Sequence, residues 1–224
     1  MKKQFVSLCM ALFISGITAL QAQSGVILKG GVNLANVSVN SDGDVNDANT
    51  LTSFHLGFSG DFSLADIISF QPGILFTGKG SKVQRGDENS ATYRRETFNP
   101  MYLEIPANVV LKLPVGTGTK FFVGAGPYLG VGIAGKRKLE ARIGGVTTEA
   151  ESDIEYATEG EDAGFGTLRR FDYGLNGTAG IEGKSLLVGV NYGLGLAKIP
   201  AGTNSSADNT NKHRVLSFSL GIKL

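Results

Sequence analysis

The stretch His213-Arg-Val-Leu-Ser-Phe-Ser-Leu-Gly-Ile-Lys-Leu224 decides the fold class. Side chains alternate with period two along a strand. Leu216, Phe218, Leu220, Ile222 and Leu224 therefore share one face, and Val215, Ser217, Ser219, Gly221 and Lys223 share the other. The first face suits hydrocarbon; the second suits a packed, mostly polar interior. A terminal strand of this kind is expected to close a cylinder in an outer membrane.

Working outward, seven more segments show the same alternation: 26–36, 53–64, 68–78, 101–113, 120–133, 170–182 and 185–196. Each is about the length of the 9–11 residues that a tilted membrane strand needs. In 53–64, Phe54, Leu56, Phe58, Phe62 and Leu64 alternate with Ser53, His55, Gly57, Ser59, Asp61 and Ser63. The connections 65–67, 114–119 and 183–184 are short, whereas 37–52, 79–100, 134–169 and 197–213 are long and polar. Short turns on one side and long loops on the other predict an all-β, eight-stranded, antiparallel, up-and-down transmembrane β-barrel. An even strand number puts both termini on the short-turn side, expected to be periplasmic, with the long loops extracellular.

A soluble eight-stranded barrel would close its edges equally well, but with the apolar face inward. The opposite face carries charge here. Lys29, His55, Asp61, Glu104, Lys112, Lys120, Asp172, Glu182 and Lys223 form a predicted interior polar network. Facing the apolar set to lipid and the charged set to each other avoids burying unpaired charge. Lys29 is expected to pair with Asp61, and Lys120 with Glu182.

Residues 1–22 read as a secretory signal peptide, with Lys2 and Lys3 before an apolar run and small residues near Ala22. Residues 23–224 are then one barrel domain. The single cysteine, Cys9, falls within the signal segment, so the mature chain would have no disulfide framework. A formal net charge of +1 gives no basic field for nucleic acid.

The ordered motifs Leu28-Lys-Gly-Gly-Val-Asn-Leu34, Phe70-Gln-Pro-Gly-Ile-Leu-Phe76, Tyr102-Leu-Glu-Ile-Pro106, Gly124-Ala-Gly-Pro-Tyr-Leu129 and Phe171-Asp-Tyr-Gly-Leu175 resemble the PorT-like outer-membrane β-barrel proteins of Bacteroidota. The resemblance covers nearly all of the mature chain. It implies the barrel fold and the outer membrane, and says little about activity. PorT itself is associated with type IX secretion, so an accessory role in secretion is one alternative.

Residue chemistry gives no catalytic site, no cofactor and no metal centre. The two histidines, His55 and His213, lie in no serine-hydrolase pattern, which disfavours a lipid-A-modifying enzyme. Eight strands enclose a lumen that side chains can fill, which disfavours a small-solute channel. The loop 134–169 offers Lys136, Arg137, Lys138 and Arg142, then Glu149, Glu151, Asp153, Glu155, Glu159, Glu161 and Asp162. The basic group suits lipid phosphates, and the acidic run suits cation bridging to lipopolysaccharide. The expectation is a monomeric, non-catalytic barrel acting through its external loops in surface contact or envelope maintenance. Its partners would be outer-membrane lipid, lipopolysaccharide and, during biogenesis, the barrel-assembly machinery.

Overall fold

Eight long strands form a closed ring in a computed structural model that describes residues 24–38, 48–86, 92–158, 167–199 and 212–224. They are β1 (Ser24–Ser38), β2 (Leu51–Ala65), β3 (Ile68–Gly78), β4 (Thr92–Gly116), β5 (Thr119–Ile143), β6 (Phe171–Glu182), β7 (Leu186–Gly195) and β8 (Lys212–Lys223). The expected signal segment lies outside the described residues, as do Glu159, Glu161 and Asp162. Each strand pairs antiparallel with the next, and β1 pairs with both β2 and β8. No sheet edge remains in the barrel wall, so the backbone groups of the ring bond to one another.

The two faces separate as the alternation requires. Leu56, Phe58, Val123, Val190, Phe218 and Leu220 are exposed on the outside. Asn33, His55, Asp61, Glu104, Lys112, Asp172 and Glu182 are buried inside. An apolar outside around a polar inside is the inverse of a soluble barrel and matches hydrocarbon as the outer solvent. The interior is not wholly polar, however. Ile27, Val110, Phe122 and Leu187 point inward and form an apolar cluster. Phe122 lies over Gly180 and Gly189, where an added Cβ would come within 2.6 and 3.1 Å of the ring. These glycines make room for a phenyl ring rather than for a pore.

The short turns fall at Asp66-Ile67, Thr117-Gly118 and Gly183 to Ser185, close to expectation. The predicted loops 79–100 and 134–169 are instead largely strand. β4 and β5 are 25 residues each and stay paired from Gly116 and Thr119 out to Thr92 and Ile143. Gly144 and Gly145, with φ of 59° and 85°, turn the chain so that Val146–Asp153 pairs back along β5. Two positive-φ residues make the tight turn that matches strand twist. Ser81–Arg85 pairs with the other side of β4. The wall thus continues beyond the long-loop rim as a projecting ribbon. In Lys-Arg-Lys-Leu-Glu-Ala-Arg (136–142) only Leu139 and Ala141, followed by Ile143, alternate with charge, a run too short to mark a strand of this length by hydrophobic periodicity.

Candidate functional site

Two regions gather chemistry-bearing side chains: the lumen and the ribbon. In the lumen, Lys112 Nζ lies 2.5 Å from Asp61 and 2.8 Å from Glu182, and Lys223 lies 2.5 Å from Glu182. Gln71 also donates to Asp61 at 3.2 Å. A second cluster centres on Lys79, whose amine lies 2.6 Å from Glu104 and 2.8 Å from Asp172. The Tyr128 hydroxyl donates to the same Asp172 oxygen at 3.1 Å, and its ring lies 4.1 Å from the amine. Carboxylates, an ammonium and an aromatic face here replace the water each lost on burial.

The clusters revise both expected pairs. Asp61 stands opposite Gly25, not Lys29. Four residues of strand, about 13 Å at the usual rise, separate the two positions along β1. Glu182 does stand opposite Lys120, but Lys120 is exposed at the rim, and Glu182 turns inward to Lys112 and Lys223. Lys79, in the segment 79–100 expected to be a loop, is a buried lumen cation shared between two carboxylates, as Lys112 is. Its signal was present: continuing the period of two from Thr77 places Lys79 on the inward face. Gly80, at φ 146°, then redirects the chain away from the rim.

His55 joins the seam where the barrel closes. The Asn33 amide donates to Phe54 O, Thr77 Oγ1 and Gly78 O at 3.1, 2.9 and 2.9 Å. Its Oδ1 is left to accept from His55 Nδ1 at 2.7 Å. That bond assigns the proton to Nδ1, so Nε2 accepts from the Ser219 hydroxyl at 2.9 Å, and Ser219 accepts from Asn191 at 2.8 Å. Gly31 lies between His55 and Ser219 in the register. A Cβ there would approach the His55 ring to 2.7 Å, so only glycine lets the ring cross β1. The order serine, histidine, asparagine is that of an activated nucleophile. Here, though, it faces the lumen rather than lipid, and it fastens β1, β2, β7 and β8 together. The sequence carries no sign of the partnership with Ser219, because a contact between the second and last strands exists only after closure.

Toward the long-loop end, the Tyr102 ring packs edge-on against His213 and Tyr156, at centroid distances of 5.5 and 5.9 Å. Tyr156 sits over Gly132 and donates to Ala134 O at 2.7 Å. Ile154 is buried, and its N–H donates to Gly135 O at 3.0 Å. Residues 154–157 therefore fold back on the barrel mouth.

On the ribbon, the predicted basic and acidic groups meet each other. Lys136 lies 2.8 Å from Glu151 and 3.5 Å from Asp153, and Lys138 lies 3.1 Å from Glu151. Arg137 pairs with Glu96 on β4. Hydrogen bonds from Lys136 and then Lys138 hold the Glu151 carboxyl below the usual glutamate range. Glu149 and Glu155 are exposed. Among the described residues, no group of three or more His, Cys, Asp or Glu is placed to hold a metal ion.

Comparison with solved structures finds similar chains at low identity. Ail, the attachment invasion locus protein of Yersinia pestis, is 14% identical with a TM-score of 0.39, covering 90% of this chain and 99% of its own. Neisserial surface protein A is 13% identical with a TM-score of 0.44, covering 90% and 98%. OprG from Pseudomonas aeruginosa is 15% identical with a TM-score of 0.40, covering 91% and 96%. No curated protein matches the sequence. Residues 21–200 match the family profile described as outer membrane protein beta-barrel domain. With a closed ring, an apolar outside and a charged inside, the chain belongs to that family of outer-membrane β-barrels.

Proposed function

We propose that this protein is a monomeric, non-catalytic outer-membrane barrel that acts at the cell surface through its projecting ribbon. The ribbon is the observation that carries the reading. Strands of 25 residues far exceed the roughly 9–11 needed to cross a membrane, so more than half of β4 and β5 serves something other than spanning. The orientation that goes with this reading puts the long-loop end outside and both termini in the periplasm, as an even number of strands with short turns at one end favours. The filled lumen favours surface contact over solute passage. The triad-like row at Ser219 faces that lumen, which favours a structural role over lipid chemistry. Lipopolysaccharide is the nearest partner. Lys136 and Lys138 would reach its phosphates by exchanging Glu151, and divalent cations would bridge Glu149 to the same layer. Affiliation with the PorT-like proteins rests on the ordered motifs alone.

The test is replacement of residues 136–153 by a short Gly-Ser linker, which removes Lys136, Lys138, Glu149 and Glu151 but spares the segment 154–157 that packs on the mouth. Heat-modifiable migration should persist, and the adducts formed on cross-linking intact cells should be lost. Unchanged adducts from a correctly assembled barrel would place the contact surface elsewhere.

A further inference from the structure

We propose that the lumen holds a small monovalent anion of chloride size beside Lys29. Lys79 and Lys112 each touch two carboxylates, and Lys223 touches one. Lys29 makes no ion pair among the described residues, although it lines the same lumen cavity as Lys79 and Glu104. The register explains this. Lys29 stands between Gly57 on β2 and Gly221 on β8, and beyond those glycines come Leu75 on β3 and Leu187 on β7. It has no acid for a cross-strand neighbour.

The charged groups acting on Lys29 are Asp61, Lys112 and Glu182. Both carboxylates are already held by Lys112 and Lys223. Three ammonium groups thus face two carboxylates in this part of the lumen. Glu104 lines the same cavity, but its carboxylate is already held by Lys79. A half-buried ammonium without a partner has lost part of its hydration, and a contacting anion offsets that loss.

The cavity has further features suited to such an ion. Its volume is about 60 Å³, enough for a monatomic ion with a little water and too small for a sugar or a phosphate ester. Ser59 lines it, is 3% exposed, and has a hydroxyl with no partner, free to donate. Asn191 and Ser217 line it from β7 and β8. Asn108, whose Oδ1 also lacks a partner, can accept from a water that hydrates the ion.

The experiment uses the full barrel refolded in detergent. Chloride NMR linewidth is titrated against protein, with gluconate keeping the ionic strength constant. Saturable excess broadening is expected in the native chain. It should weaken by about tenfold or more in Lys29→Met, because a charge-assisted contact is lost. Lys29→Arg should retain it, and so should Lys120→Met at the rim. Heat-modifiable migration checks assembly of each variant. If Lys29→Met does not assemble, the native chain and Lys29→Arg still decide: absence of saturable broadening in both overturns the site. Equal broadening in an assembled Lys29→Met also overturns it.

Discussion

The lumen and the ribbon carry the same residue types under opposite solvation. Inside the barrel, Lys79 bridges Glu104 and Asp172 with side chains 4%, 9% and 4% exposed. On the ribbon, Lys136 bridges Glu151 and Asp153 with side chains 57%, 42% and 85% exposed. The geometry is nearly the same, one ammonium between two carboxylates, yet the energetics differ. A buried charge that loses its partner has no water to replace it. An exposed one is rehydrated at once and screened by salt. The lumen clusters therefore hold the wall in one arrangement, while the ribbon pairs set charge pattern without much effect on stability.

The largest test of that contrast is Lys79→Met. It leaves Glu104 and Asp172 facing each other without a cation and should cost about 3–5 kcal/mol, read by denaturant unfolding in lipid vesicles. Lys136→Met should leave the same transition in place. A similar loss for both variants would break the distinction.

The next effect is at the wall. Val190 is exposed outside and Asn191 faces the cavity, one residue apart on β7. Val190→Arg should cost about 2–4 kcal/mol if it lies near the bilayer midplane. Asn191→Gln should fold with little change, and equal sensitivity at the two sites would contradict the assignment of faces.

The smallest effect is a pH response of the ribbon. Because hydrogen bonds from Lys136 and Lys138 lower the folded pKa of Glu151, their contribution is present above the unfolded value of about 4.3 and is lost as pH falls through the folded value. An NMR titration of Glu151 should therefore give a midpoint below that of a model glutamate, moving upward at high salt. A midpoint at the ordinary value would mean that the ribbon pairs do not persist in solution.

How much of this was legible in sequence depends on what each strand faces. β2 and β8 alternate cleanly because one side meets hydrocarbon and the other a polar interior. Their inward sets, His55 and Asp61 or Ser217, Ser219 and Lys223, were assigned to the correct face. The ribbon reads as loop because charged residues outnumber its short apolar alternation, Leu139, Ala141 and Ile143; the Gly144-Gly145 turn is a further local sign. The pairing within the interior network was not legible. Lys29 and Asp61 looked level when counted from the rim, whereas the register sets Asp61 against Gly25.

The sequence by itself determined the barrel, its strand count, its apolar outside and the charged character of its lumen. Period-two alternation records the two solvents of each wall strand, and turn length records which strands are neighbours. Only the tertiary structure decided which charges touch. Closure brings β8 against β1, so that His55 reaches Ser219 across Gly31, and Lys79 leaves its apparent loop to sit between Glu104 and Asp172. Those contacts join residues far apart in the chain, and their geometry depends on register and strand tilt around the whole ring, which no local pattern encodes.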